Sequence, residues 1–313
     1  MKLLLTGASG FIGKNIYENW RDTYHILAPG HSELDLTDEE LVFRYLQRER
    51  PDIVIHAATT NIVAHPERTA HLAESDLRMF FSLANGAQFY DKMLYFGSGA
   101  EYDSRHYIPQ MPESYFGAHI PADAYGFAKY IMARTAETSS NIFDLRLFGV
   151  FGKYEDWSRR FISNLIYFGL TGQELHMGPN MYFDYLYIQD LLPVLEWFLH
   201  HSPKYHSYNV CSGRRMELYR LGCMVCECLH LDPNLLHCAP GWKPEYTGDH
   251  TRLLEELGTE LVLTPMKTAI QDLVRYYTWH KEELWPGMTT LGAAQNDFPG
   301  SKIHYEISSN CTS

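Results

Sequence analysis

The sequence predicts an α/β protein, a doubly wound parallel sheet with a smaller mixed C-terminal part. Three observations carry that prediction. Leu3, Leu4 and Leu5 form a short apolar run that stops at a Thr6-Gly7 turn, the pattern of a strand buried on both faces. Apolar runs of similar length then alternate with helical patterns through the first half of the chain. Turn formers and small residues close those runs, namely Gly7, Asp35, Ala57 and Ser98, and ligands of an open parallel sheet bind at the carboxyl ends of its strands.

The first element also announces a ligand. Gly7, Gly10 and Gly13 follow the buried strand, with Ile12, Ile16 and Trp20 at helical spacing behind them. One glycine permits the tight turn, one lets backbone approach a pyrophosphate, and one packs the helix against the strand. Free N–H groups and the macrodipole at the helix start favour the negative charge. The stretch therefore predicts a dinucleotide site of Rossmann type, with Gly7, Ser9, Gly10, Phe11, Ile12 and Gly13 as its contacts. A mononucleotide P-loop is excluded because Lys14 is followed by Asn15, not by Ser or Thr.

Composition narrows the partners. A chain of 313 residues is long enough for about two domains. Its net charge of -12 excludes a nucleic-acid partner, which needs a basic surface. The N-terminal apolar run is too short for a signal peptide, and no run reaches the roughly 20 residues of a membrane span. A soluble cytoplasmic protein is expected. Cys223, Cys226 and Cys228 crowd one helix, but no second Cys or His pair matches them, so no metal site is predicted.

Tyr24 to Ala28 reads as the second strand, and Pro29-Gly30-His31-Ser32 follows without a carboxylate. An acid there would bind a ribose 2′-hydroxyl and repel a 2′-phosphate, so Ser9 and His31 favour NADP, with NAD as the alternative. Asp35 and Leu36 come next as cofactor contacts. Thr37 to Glu40 reads as a capping box opening a helix that runs to about Arg50. Ile53 to Ala58 is the third strand, and its small residues Ala57 and Ala58 leave room for the cofactor. Another helix, from about Leu72 to Tyr90, leads to the strand Met93 to Phe96 and the turn at Ser98.

Tyr125 and Lys129 lie one turn apart on the helix that follows. The spacing alone says little, since Tyr277 and Lys281 repeat it in a C-terminal helix whose apolar face marks it as structural. Position sets the first pair apart, because it follows a strand that ends in a serine, in the half of the chain holding the dinucleotide.

Together, Thr6 to Gly13, the Ser98 turn and the Tyr125/Lys129 pair resemble the extended short-chain dehydrogenase/reductases, the NAD-dependent epimerase/dehydratase family that modifies nucleotide sugars. The similarity continues through Leu145 to Gly152, Phe183 to Asp190, Tyr208 to Gly213 and Asp249 to Gly258. The run Glu33 to Ala58 is most similar to the GDP-fucose synthase and dTDP-4-dehydrorhamnose reductase types. The resemblance implies that Tyr125 is the acid or base at the sugar C4 oxygen and that Ser98 hydrogen-bonds that oxygen. It implies that Lys129 holds the nicotinamide ribose and favours the ionised phenol.

Departures from the family pattern choose among its reactions. Dehydratases carry an Asp-Glu pair where Gly99 and Ala100 stand, so dehydration is not expected. GDP-fucose synthase has a cysteine at the Ala100 position and a histidine near Arg160, and both are absent here. Gly149, Lys153 and Phe183 replace a usual asparagine, proline and arginine. The last change removes a phosphate contact, for which Arg159, Arg160, Arg214 and Arg215 are candidate replacements. Arg160 and Arg215 are the named substrate contacts.

The expected layout is a dinucleotide-binding Rossmann domain over 1–170, to which about 182–210 returns. A substrate domain takes about 171–181 and 211–285, and a tail takes 286–313. By resemblance, the helices from Leu72 and Tyr125 pair in a homodimer. The function expected is 4-keto reduction of a nucleotide-activated sugar. A 4-epimerase with retained NAD is the alternative, and a non-catalytic NAD(P)-binding sensor is the second.

Overall fold

In the computed structural model, which describes residues 1–60 and 71–285, six parallel strands make a Rossmann-type sheet. They are β1 (Lys2–Thr6), β2 (His25–Leu27), β3 (Ile53–His56), β4 (Lys92–Ser98), β5 (Ile142–Leu147) and, further along, β9 (Ser207–Val210). Their order is β2-β1-β3-β4-β5-β9, with every pair parallel.

Side chains alternate across a strand, and both faces of this sheet are covered. Leu3, Leu5, Ile55, Leu94 and Leu145 face a core shared with Ile16 and Trp20 of α1 (Phe11–Trp20) and Leu191 and Leu195 of α6 (Ile188–His200). Leu4, Val54, Met93 and Tyr95 face the other core. There they meet Val42 and Leu46 of α2 (Glu39–Glu49), Phe80 and Leu83 of α3 (Leu72–Ala84), and Met132 and Ala136 of α4 (Ala124–Thr138). Burial on both faces explains why the strands read as unbroken apolar runs.

A second group of elements follows. Strands β6 (Gly149–Phe151), β8 (Tyr182–Tyr187) and β10 (Arg215–Glu217) form a mixed sheet in the order β10-β8-β6, and β7 (Leu175–Met177) pairs with β11 (Leu236–Cys238). Helices α5 (Phe161–Thr171), α7 (Leu218–Cys228) and α9 (Met266–Trp279) enclose a third core that includes Leu165, Leu221, Ile270 and Tyr277. The short helices α8 (Thr251–Leu257) and α10 (Lys281–Leu284) complete the described elements.

The structure corrects three local expectations. The cap of α2 is Asp38, whose carboxylate accepts the Leu41 N–H at 2.9 Å; the Thr37 hydroxyl is already held by Asp35 at 2.7 Å. Tyr182–Tyr187 does not return to the main sheet, because β5 has β4 on one side and β9 on the other, and β8 pairs with β10 and β6 instead. Only the part from Ile188 to Val210 rejoins it, as α6 and β9. Tyr277 and Lys281 belong to successive helices: the ring is buried, and Lys281 donates to the Leu170 carbonyl at 3.1 Å.

Among the described residues, no group of three or more His, Cys, Asp or Glu side chains could hold a metal. No described helix is long and apolar enough to cross a membrane. The expected tail, 286–313, lies outside the described residues.

Candidate active site

Backbone geometry shapes the dinucleotide end. Gly7 turns the chain with a φ of +70°, and a Cβ there would meet the Ala58 nitrogen at 2.6 Å and the Ala57 carbonyl carbon at 2.7 Å. Only glycine meets both demands. A Cβ on Gly13 would collide with the Gly7 carbonyl oxygen, so the helix sits directly on the turn. Gly10 is the N-cap of α1, and no side chain caps that helix. The first-turn N–H groups of Phe11 and Ile12 therefore face the carboxyl edge of the sheet without a side-chain partner, a chemistry that fits a pyrophosphate.

Ser9 and His31 are both exposed at this end. Asp35 is half-buried and accepts the Thr37 N–H at 2.9 Å. Leu36 turns its side chain into the core beside α2. At the tip of β3, His56 shares a hydrogen bond of 2.8 Å with the Thr6 hydroxyl. Burial, helped by the nearby Lys129 charge, lowers its pKa to about 3, so this imidazole is neutral.

Ser98 ends β4 and caps the short turn Gly99–Tyr102, with its Oγ accepting the Ala100 N–H at 3.2 Å. Asp123 caps α4 by accepting the Gly126 N–H at 2.8 Å, which leaves Tyr125 exposed on the first turn. Lys129 lies one turn further in and is buried. Its ammonium donates to the Phe96 carbonyl at 2.9 Å and stands 4.6 Å from the Tyr95 ring centre and 5.8 Å from that of Tyr125.

Two aromatic residues that sequence reasoning did not single out complete this wall. Tyr246 comes from the C-terminal part of the chain and pairs with Phe183 in an isolated bridge. Its ring lies 5.1 Å from Tyr107, 5.1 Å from Phe148 and 5.0 Å from Phe183. Its hydroxyl is a hydrogen-bond partner of Ser98 and feels the charges of Tyr125 and Arg160. Burial pushes the Tyr246 and Tyr107 phenols upward. Nothing local in sequence marks Tyr246; the only trace is Gly99, where a Cβ would stand 2.6 Å from its hydroxyl oxygen.

The two predicted arginines fare differently. Arg160, the exposed N-cap of α5, reaches the Tyr246 side of the site. Arg215 on β10 pairs with Glu245 at 2.8 Å and stacks on Tyr182 at 3.6 Å from the ring centre, so it is held at the rim.

Beneath the Ser98 turn lies a buried ion cluster. Glu101 takes the Ser98 N–H at 2.8 Å and the Arg146 Nε–H at 2.6 Å, and Asp144 stands 2.9 Å from the same guanidinium nitrogen. All three side chains are fully buried. Burial first, then the Asp144 charge, holds Glu101 well above the usual carboxylate range. Two acids around one cation keep one proton between them. The acid nearest Ser98 is thus turned inward and committed.

A family model described as NAD dependent epimerase/dehydratase family matches residues 3–211. The chain belongs to this family of enzymes. It is 23% identical over 292 residues to the GDP-6-deoxy-D-talose 4-dehydrogenase of Aggregatibacter actinomycetemcomitans, across 88% of this chain and 97% of that protein. Its similarity to the GDP-L-colitose synthase of Yersinia pseudotuberculosis is higher but local, 42% over 59 residues, covering 18% of this chain and 19% of that enzyme. Among solved structures, a GDP-mannoheptose C4 reductase from Campylobacter jejuni with NADP bound superposes with a TM-score of 0.75 at 18% identity, over 88% of this chain and 98% of that one. At that identity the likeness speaks for the fold.

Proposed function

We propose that this enzyme is an NAD(P)-dependent nucleotide-sugar oxidoreductase, and specifically a 4-ketoreductase. The carrying observation is what surrounds Ser98: a hydroxyl, phenols and one buried ammonium stand there, but no free carbon-acid base. Gly99 and Ala100 offer no acid, and Glu101 is locked to Arg146. Adding a hydride to a ketone needs one proton for the oxygen, and Tyr125 would supply it while Ser98 hydrogen-bonds the same oxygen. Lys129, pinned by the Phe96 carbonyl, would hold the nicotinamide ribose and favour the ionised phenol after proton transfer. When bound, the dinucleotide supplies the hydride.

Exposed Ser9 and His31, with no carboxylate in the loop after β2, favour NADP. Arg160 would meet the diphosphate of the substrate, with Arg215 at the rim. The homodimer contact would use α3 and α4, where Phe127 stands 42% exposed.

A thermal-shift panel of nucleotide sugars with either cofactor tests the substrate class, since a ligand bound only to the folded state raises the melting point by mass action. Stabilisation by a GDP- or dTDP-sugar together with NADPH supports the reading. A flat response to every nucleotide sugar, with cofactor still binding, would count against it.

A further inference from the structure

Ser98 has one proton to give and two lone pairs to receive with. One lone pair is taken by the Ala100 N–H at 3.2 Å. We propose that Tyr246 is a positioning residue for Ser98: its phenol donates to the second lone pair, so the serine proton has only the reacting sugar oxygen to turn to. The inference rests on the ketoreductase reading for its reaction, but the hydroxyl pair itself belongs to the folded protein.

The placement is built, not incidental. The Tyr246 backbone is fixed on the edge of β8, donating to the Tyr182 carbonyl at 2.9 Å and accepting from the Asp184 N–H at 3.1 Å. Phe148, Phe183 and Tyr107 hold the ring on three sides. The hydroxyl then reaches the space above Gly99 and meets Ser98. Burial keeps the phenol protonated, so it has a proton to donate at neutral pH. By resemblance, dehydratases place an acid at the Gly99 position. Here that space holds a phenol delivered from another part of the chain, and glycine is what leaves room for it.

Tyr246→Phe removes the hydroxyl and keeps the ring, so the aromatic packing survives. Losing one orienting hydrogen bond should lower kcat about tenfold, with KM for the keto sugar and NADPH affinity within about twofold. Acting through Ser98 makes the effects non-additive: Ser98→Ala with Tyr246→Phe should be no slower than Ser98→Ala alone. Full kcat in Tyr246→Phe, or additive losses in the double variant, would overturn the proposal.

A second measurement does not depend on turnover. In protein labelled with 13Cζ-tyrosine, the NMR resonance missing from Tyr246→Phe identifies Tyr246, and it should move in Ser98→Ala. An unmoved resonance would overturn the hydroxyl pairing even in an active enzyme. A moved resonance in a wild type that transfers no hydride would uphold the pairing and refute the ketoreductase reading alone.

Discussion

The Lys129 ammonium lies 5.8 Å from the centre of the Tyr125 ring, one buried and the other exposed on the same face of α4. The buried charge is fixed by the Phe96 carbonyl, so the phenol above it works beside a cation that cannot swing away. Tyr125→Phe removes the proton donor without touching that anchor. Activity should fall by about 10²- to 10⁴-fold, the usual worth of a general acid. NADPH binding, read by fluorescence, should stay within about twofold. Substantial residual turnover would move the proton to another group.

The uncapped start of α1 makes the cofactor end sensitive to a single added charge. Gly10→Glu would put a carboxylate among first-turn N–H groups that no side chain now occupies. The expected outcome is loss of NAD(P)H binding with an unchanged far-UV circular dichroism spectrum. A folded variant that binds as well as wild type would place the pyrophosphate elsewhere.

Cofactor preference follows from the loop after β2. NADPH should bind more tightly than NADH, because exposed Ser9 and His31 stand where no carboxylate repels a 2′-phosphate. Parallel fluorescence titrations decide this. Equal or reversed affinities would remove these two residues from 2′-phosphate recognition and strengthen the 4-epimerase alternative.

Glu155 gives a pH test of stability. It is buried against the Ser163 hydroxyl, and burial raises its pKa from 4.5 to about 8. Between those values the folded state keeps a proton that the unfolded state has lost, so stability falls as pH rises, by up to about 1.4 kcal/mol per unit for one proton. His56, lowered to about 3, runs the other way below about 6.5. Comparing wild type with Glu155→Gln isolates the carboxyl. In urea unfolding from pH 5 to 8 the variant should gain on wild type as pH rises, and parallel curves would mean that Glu155 ionises freely in the fold.

What was legible in the sequence was local. The Gly7 turn, the apolar strands and the Tyr125 to Lys129 spacing each sit within a few residues, where backbone sterics and one helical turn fix the geometry. Ser98 was readable as a strand end for the same reason. The rest of the site is assembled by topology: Arg146 meets Glu101 across 45 positions of chain, and Tyr246 reaches Ser98 only because β8 carries its segment to the edge of the site. Gly99 read as a missing acid and became, in the fold, the space that a distant phenol fills. Tyr182–Tyr187 went to the wrong sheet because an apolar strand does not say which edge it will join, and β9 claims that edge.

Hydride transfer to C4 without chemistry at neighbouring carbons is tested most directly by isotope tracing. A 4-keto nucleotide sugar is reduced in deuterated water with unlabelled NADPH, and in ordinary water with NADPH deuterated at nicotinamide C4. Gly99, Ala100 and the locked Glu101 leave no carbon-acid base beside Ser98, and Arg160 is a permanent cation. The expected result is deuterium at sugar C4 from the cofactor and none from solvent at C3 or C5 beyond an enzyme-free control. Solvent deuterium entering C3 or C5 faster than that control, or no cofactor deuterium at C4, would contradict it.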